Sequence, residues 1–356
     1  MKKFMIRDGN VTFDFVCAFS HGQLCSHENW APPYKLQEWL VRERPSSFEQ
    51  IIQWHIGNGV PVWGLEGSKD DVAFGDEWTY YRGAKRGNYF RYRYISESYL
   101  SGIQLLKHVQ GGVLADVGCG VGHFAKYYKE RCNKSIAIDA EWCNLYFMHK
   151  YFSPSSSLVC TDLDVTLGLE QNVVDHFFIS DSFHYVKEKR RFLENVRSAW
   201  SGEGLILFNH VHHIDQQMHE NGIGIPLSVE CYRNMIKEVF PECKVEIYGE
   251  RSFVRYALDV ADTIYEANND EMSPLTICVH RGNNLDIRKQ VRLPDRMRLN
   301  NAYKLVWLHD KPVFQRICLP EAFMEEFHSD LFPDSIDFTD KDKMDTLFSF
   351  GILICD

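Results

Sequence analysis

Apolar and polar positions follow two rhythms along this chain, and the changes of rhythm mark its elements. Short apolar runs alternate with stretches of helical period between residues 113 and 208. They predict strands over 113–117, 135–138, 158–160, 175–180 and 204–208, and helices over 123–131, 141–151 and 187–200. Strands separated by helices imply βαβ units and an α/β fold with a mostly parallel sheet. A helical run from Ser228 to Phe240 precedes two strand-like runs, Lys244 to Tyr248 and Phe253 to Leu258, which would be the last two strands of a sheet of seven.

On either side of this core the pattern is less regular. Val11 to Val16 alternates like a short strand, and residues 35–44 read as an amphipathic helix ended by Pro45. Ser46-Ser47-Phe48-Glu49 is a capping box opening a second helix through Ile56, which Gly57-Asn58-Gly59 stops. A further helix ends near His108. Beyond residue 266, strands near Leu275 to Val279 and Tyr303 to His309, a helix from Glu321 to Leu331 and a last helix from Lys341 suggest a small α/β module. Its helices would bury Phe323, Phe327, Leu347 and Phe348. At 356 residues the chain exceeds one average domain. The expected division is an N-terminal extension over 1–85, a core over 86–265 and an accessory module over 266–356.

The core is organised around Gly111 to Phe124, GGVLADVGCGVGHF, in which Gly118, Gly120 and Gly122 follow a strand that holds Asp116. Glycines there let backbone approach a ligand at the carboxyl end of a strand, where open α/β sheets bind their ligands. The dinucleotide spacing G-x-G-x-x-G fails, because His123 stands where its third glycine belongs. The pattern D-x-G-x-G-x-G resembles the first motif of the class I S-adenosylmethionine (SAM) methyltransferases. That resemblance spans about residues 87–215 and implies a seven-stranded Rossmann-like sheet. It puts Asp116 near the methionine amino group, with Gly118, Gly120 and Gly122 lining the cofactor. It also puts Asp139, 17 residues past Gly122, on the ribose hydroxyls, and Asp162 with Leu163 beside the adenine. The loop at Ser180 and Asp181 would lie under the reactive methyl. Upstream, Tyr89 and Arg91 come from an aromatic and cationic cluster that could face the sulfonium and the cofactor carboxylate. Such N-terminal additions commonly form a lid over the substrate in small-molecule members of the family; packing on the sheet is the alternative.

The most suggestive polar cluster, Asn209-His210-Val211-His212-His213, lies just past the last parallel strand. If the strand continues, His210 and His212 share one side and His213 takes the other. An imidazole titrating near about 6.5 can take a proton from an acceptor. The same residues could contact substrate, hold a metal that orients a chelating substrate, or be satisfied surface groups. No metal is assigned. The expected proton handler is His210 or His184, with Tyr185 and His213 shaping the pocket.

Composition narrows the partners. A formal net charge of −10 disfavours a nucleic-acid substrate. Ten carboxylates against two lysines from Leu319 to Asp356 form either a solvated face or a docking face for a partner, and the C-terminal module could dimerise the chain. Eleven cysteines without a C-x-x-C fit reduced thiols, and no apolar run is long enough to span a bilayer, so a cytoplasmic protein free of membrane is expected. The Ser180-Asp181-Ser182-Phe183 loop lacks the N-P-P-[YF] signature of base-amine and amide methylation. No Pro-Cys dipeptide supplies a cytosine-C5 nucleophile. The expected activity is therefore O- or N-methylation of a small molecule or natural-product intermediate, free or bound to a carrier or peptide. Aminocarboxypropyl transfer, cyclisation to methylthioadenosine, and a non-catalytic SAM-binding scaffold are the alternatives.

Overall fold

The structure, a computed structural model, describes residues 93–140, 156–214, 224–269 and most of 271–300. It also describes the strands at 2–8, 11–17, 303–308, 311–316, 335–337 and 353–355, and a few single positions between them. Nine strands make one sheet. β1 (Lys2–Asp8) and β2 (Val11–Cys17) form an antiparallel hairpin. β3 (Val113–Val117), β4 (Lys134–Asp139), β5 (Ser157–Cys160), β6 (His176–Ser180) and β7 (Leu205–Val211) run parallel. β8 (Lys244–Gly249) and β9 (Leu275–His280) complete the order β1-β2-β5-β4-β3-β6-β7-β9-β8, with β9 antiparallel to both its neighbours.

Parallel strands covered on both faces must be apolar throughout, and Leu114, Ala115, Val117, Phe177, Phe178, Ile179, Ile206, Leu207 and Phe208 are all fully buried. The chain steps outward from β3 through β4 to β5, then returns to lay β6 on the other side of β3. That reversal opens a crevice beyond the carboxyl ends of β3 and β6, the place where an open sheet binds its ligand.

Helices cover the sheet by burying one stripe each. α1 (Glu97–Leu106) starts at Ser96, whose Oγ accepts the Tyr99 N–H at 3.2 Å. α2 (Ala125–Lys129) follows the glycine turn. α3 (Lys189–Ala199) buries Phe192, Leu193, Val196 and Ala199, and α4 (Val229–Val239), capped by Ser228, buries Val229, Tyr232, Ile236 and Val239. No helix among the described residues is long and apolar enough to cross a membrane.

Three sequence expectations change. Phe253 to Leu258 is not a strand: Glu250, Phe253 and Val254 are buried at helical spacing between exposed Arg251 and Ser252, and the segment is α5 (Glu250–Ala257). The missing strand is Leu275–His280. Its six residues are buried between β7 and β8, so the sheet runs past the boundary expected at residue 265. Finally, Leu353–Cys355 is a strand, β14, rather than the end of a last helix. It pairs with β10 (Met297–Leu299), and Ile354 is fully buried. β11 (Tyr303–Leu308), β12 (Lys311–Arg316) and β13 (Ser335–Asp337) form a separate antiparallel sheet, in keeping with the strand expected from Tyr303. Phe348, expected in the core, is buried and stacks on Tyr127 with ring centroids 5.6 Å apart. The helices expected at 35–44, 46–56 and 321–331, with Phe323, Phe327 and Leu347, lie outside the described residues. The described part of the N-terminal extension, β1 and β2, widens the sheet, because β2 pairs with β5 in parallel.

The start of β7 depends on a close approach. Asp175 holds the Val113 N–H through Oδ2 at 2.7 Å, the Ser201 hydroxyl through Oδ1 at 2.8 Å and the Trp200 indole N–H through its carbonyl at 2.9 Å. A Cβ on Gly204 would overlap that carbonyl oxygen, which is backbone and already anchored. Gly204→Ala should therefore cost about 1–3 kcal/mol and lower the midpoint of thermal unfolding by several degrees. An unchanged midpoint by differential scanning calorimetry would contradict this packing.

Candidate functional site

The three glycines of the turn after β3 each have their own reason. Gly118 and Cys119 donate their N–H groups to the Ile138 carbonyl at 2.8 and 3.1 Å, folding the turn over the end of β4. All three have positive φ, +69°, +53° and +85°, which favours glycine. A Cβ on Gly118 would overlap the Ser182 side chain, and one on Gly122 would sit 2.5 Å from Met148 Cγ. Gly120 has open space on its Cβ side, with nothing among the described residues within 4 Å. Its N–H donates to Asp139 Oδ2 at 2.8 Å, tying the turn to the acidic end of β4.

Neighbouring strand ends carry further carboxylates. The Thr161 N–H donates to the Asp139 carbonyl at 3.1 Å, which links the end of β5 to that of β4. Asp162, the next residue, accepts the Asp164 N–H through Oδ1 at 2.9 Å, and its carbonyl accepts from Val165 and Thr166. This Asx turn fixes the loop, and Leu163 packs partly against the core. Inside β3, Asp116 is 1% exposed and its Oδ2 has no hydrogen-bond partner. Burial pushes this carboxyl up to about 7; the Tyr128 hydroxyl offsets the rise in part and the charge of Asp139 adds to it. A buried carboxyl with one oxygen unpaired among the described residues suits a ligand that brings a cation and no phosphate.

The other half of the crevice is built from β6, β7 and α5. Asn209 donates through Nδ2 to the Ser98 carbonyl at 2.7 Å and to Ser180 Oγ at 2.9 Å. Ser101 shares its hydroxyl proton between Asn209 Oδ1 and Glu250 Oε1, the latter at 2.5 Å. Glu250, 1% exposed at the start of α5, sets its Oε2 2.6 Å from His210 Nδ1. Because a carboxylate only accepts, Nδ1 carries the hydrogen and the lone pair of a neutral ring is on Nε2. The pairing of β7 with β9 shifts register between Phe208 and Val211, where His210 has φ +56°.

The rings of His210 and His212 lie edge to face with centroids 4.9 Å apart, and His212 meets His184 at 4.4 Å. Asp181, with φ +51°, completes the group: Oδ2 is 2.8 Å from the Arg93 guanidinium and Oδ1 is 3.7 Å from His184 Nε2. Asp181, His210 and His212 each bring a ligating atom within 4.8 Å of the others. Burial works to raise the Asp181 carboxyl, but Arg93 and then His210, His184 and His212 hold it down at about 2. Burial likewise works to lower His210, and Glu250 and Asp181 outweigh it, so His210 is raised above the usual imidazole value. His184 is fully buried and pushed down to about 3, which keeps it neutral.

Ser182 joins the two halves. Its hydroxyl donates to the Val117 carbonyl at 3.1 Å, while its side chain fills the space beside Gly118.

His210, His184, Ser180, Asp181 and the half-exposed Tyr185, whose ring lies 4.3 Å from that of His184, thus gather at one strand edge. His213 does not join them. It faces the opposite side, as alternation past β7 requires, is fully buried, and meets the Ser273 carbonyl through Nε2 at 3.0 Å. Its expected role in shaping the pocket is therefore withdrawn. Tyr89 and Arg91 lie outside the described residues, and the cation that reaches the site from that cluster is Arg93. Glu250 and Ser101 were not foreseen. No local signal marked Glu250, which sits 40 residues past His210, between two runs that read as strands.

Residues 115–208 match the model of a family described as a methyltransferase domain. Solved structures similar to this chain include a SAM-dependent methyltransferase from Thermotoga maritima, 13% identical with TM-score 0.41, covering 58% of this chain and 100% of that one. Another is a SAM-dependent methyltransferase from Mesorhizobium loti, 16% identical with TM-score 0.37, covering 49% and 93%. No curated protein matches. Over residues 115–208 the chain is thus similar to a methyltransferase domain, a match that runs from β3 into β7 and takes in the glycine turn.

Proposed function

We propose that this chain catalyses SAM-dependent methylation of a small-molecule acceptor, free or carried on a peptide or carrier, at oxygen or nitrogen. The observation that carries the reading is the join at Ser182, which keeps the glycine turn and the Asp181, His210 and His212 group on one strand edge. SAM supplies a methyl on a sulfonium whose leaving group is a neutral thioether, so the leaving side needs no acid. The protein's task is to hold an acceptor in line, exclude water and ease the loss of the acceptor proton.

The residues divide accordingly. The open side of Gly120 admits the cofactor against backbone, Asp139 takes the ribose hydroxyls, and Asp162 with Leu163 borders the adenine. Asp116 receives the methionine amino group. On the acceptor side, Asp181, His210 and His212 meet the substrate, with Tyr185 at the mouth. His210 is held by Glu250, and Asp181 by Arg93.

Spent nucleoside from an incubation with SAM and a panel of hydroxylated and amine acceptors tests the reaction class. S-adenosylhomocysteine with a methylated acceptor is expected; methylthioadenosine would point to attack on the carbon chain of SAM instead, and consumption of no SAM to a scaffold.

Two predictions follow from the roles of particular residues. A carboxyl with pKa about 7 is roughly nine-tenths protonated at pH 6, and an ammonium drawn beside it favours the ionised form. SAM binding at pH 6 should therefore release close to one proton from Asp116. Calorimetry in buffers of different ionisation enthalpy should show this release in the wild type and lose it in Asp116→Asn. Equal enthalpies in all buffers for the wild type would contradict it. His210→Ala should keep SAM affinity within about twofold while turnover falls on the order of 10²-fold or more. Turnover within threefold of the wild type would remove His210 from the acceptor step.

A further inference from the structure

We propose that Asp181, His210 and His212 form a binding site for a divalent transition-metal cation, and that the acceptor presents two neighbouring oxygens to it. The acceptor's location is taken from the reading above; the cation site stands on geometry alone.

Two imidazoles and one carboxylate converge from two strand ends, with their ligating atoms all within 4.8 Å of one another. Two nitrogens and one oxygen suit a borderline divalent ion such as Fe(II), Co(II), Zn(II) or Mn(II), and a three-residue set on one face leaves coordination positions open for a ligand. The surroundings are those of a metal centre. A ligating histidine ordinarily donates its other ring N–H to a carboxylate or carbonyl, which fixes the tautomer and aims the lone pair. Glu250 does this for His210, accepting from Nδ1 at 2.6 Å and leaving Nε2 as the donor atom. The carboxylate of Asp181 is held in the same manner: Arg93 takes Oδ2 at 2.8 Å, which leaves Oδ1 facing the histidines.

A second, independent observation points to a ligand at this spot. His184 is fully buried, its ring packs on His212, and neither of its nitrogens has a hydrogen-bond partner among the described residues. Burying such a group unpaired is costly. Its Nε2 is 3.7 Å from Asp181 Oδ1, so the ring borders the site beside the carboxylate that would hold the cation. An octahedral ion held by three protein atoms keeps three positions. An acceptor with adjacent oxygens, such as a hydroxy-carbonyl compound or a vicinal diol, fills two of them, and coordination lowers the cost of ionising the oxygen it holds.

The test uses the full-length protein stripped with a chelator and titrated with Co(II) alone, followed by its visible absorption. One Co(II) per chain is expected. Asp181→Asn and His212→Ala should each weaken binding more than tenfold, and Glu250→Gln by roughly 10–100-fold. One equivalent of oxalate, a minimal two-oxygen chelator, should change the spectrum of the bound ion, whereas acetate should not. The far-ultraviolet circular dichroism of each variant, measured in parallel, should match the wild type, which shows that the fold is intact, and SAM affinity of the wild type is measured by calorimetry. A wild type that binds no Co(II), or binds it equally well after Asp181→Asn and His212→Ala, overturns the site. Bound Co(II) whose spectrum ignores oxalate overturns the two-oxygen acceptor. Co(II) binding by a protein that fails to bind SAM would sink the methyltransferase reading and leave the metal site standing.

Discussion

The rest of the structure depends on how closely the turn after β3 approaches the loop after β6. Val117 ends one strand and Ser180 the other, and Ser182 bridges them through its bond to the Val117 carbonyl. The distance is tolerable only because Gly118 has no side chain; a Cβ there would overlap Ser182. Parallel pairing of β3 with β6, through Leu114↔His176 to Val117↔Ile179, sets the register that brings these two residues together. The crevice beyond them is thus a consequence of sheet topology, and its two walls come from opposite sides of the point at which strand order reverses.

Each wall has its own chemistry. On the β4 and β5 side the polar groups are carboxylates on tight backbone turns, Asp139 on the Gly120 N–H and Asp162 within an Asx turn. Asp116 sits behind them, costly to bury as an ion and costly to leave unpaired. That cost falls when a cation comes alongside, so this position favours a cationic ligand over a phosphate-bearing one. On the β6 and β7 side the groups are imidazoles and carboxylates, two of which are held by partners outside the crevice. Arg93 and Glu250 restrain Asp181 and His210 from behind, so the ligand-facing atoms are positioned before any ligand arrives.

Much of this was legible in the sequence because it rests on local rules. The glycine turn, the acidic strand ends at Asp139 and Asp162, and the separation of His210 and His212 from His213 all follow from spacing within a few residues. What failed to show was non-local. Phe253 to Leu258 holds enough β-branched and aromatic residues to read as a strand, and only the burial of Glu250 with Phe253 and Val254 reveals a helix. Leu275 to His280 reads as a strand, yet nothing nearby says that it slots between β7 and β8. Glu250 reaches His210 because that helix packs against α1, where the Ser101 hydroxyl donates to its other oxygen. A buried carboxylate supplied by a distant helix has no sequence signature of its own.

The account stands or falls on whether the crevice between β3 and β6 seats the adenosyl cofactor. A crystal structure of the protein with S-adenosylhomocysteine measures this directly. The account predicts ligand density over Gly120, the ribose hydroxyls within hydrogen-bond distance of Asp139, and the thioether sulfur directed toward Asp181 and His210. Density elsewhere, with no ligand group beside Asp116 and Asp139 bonded only within the protein, would contradict it.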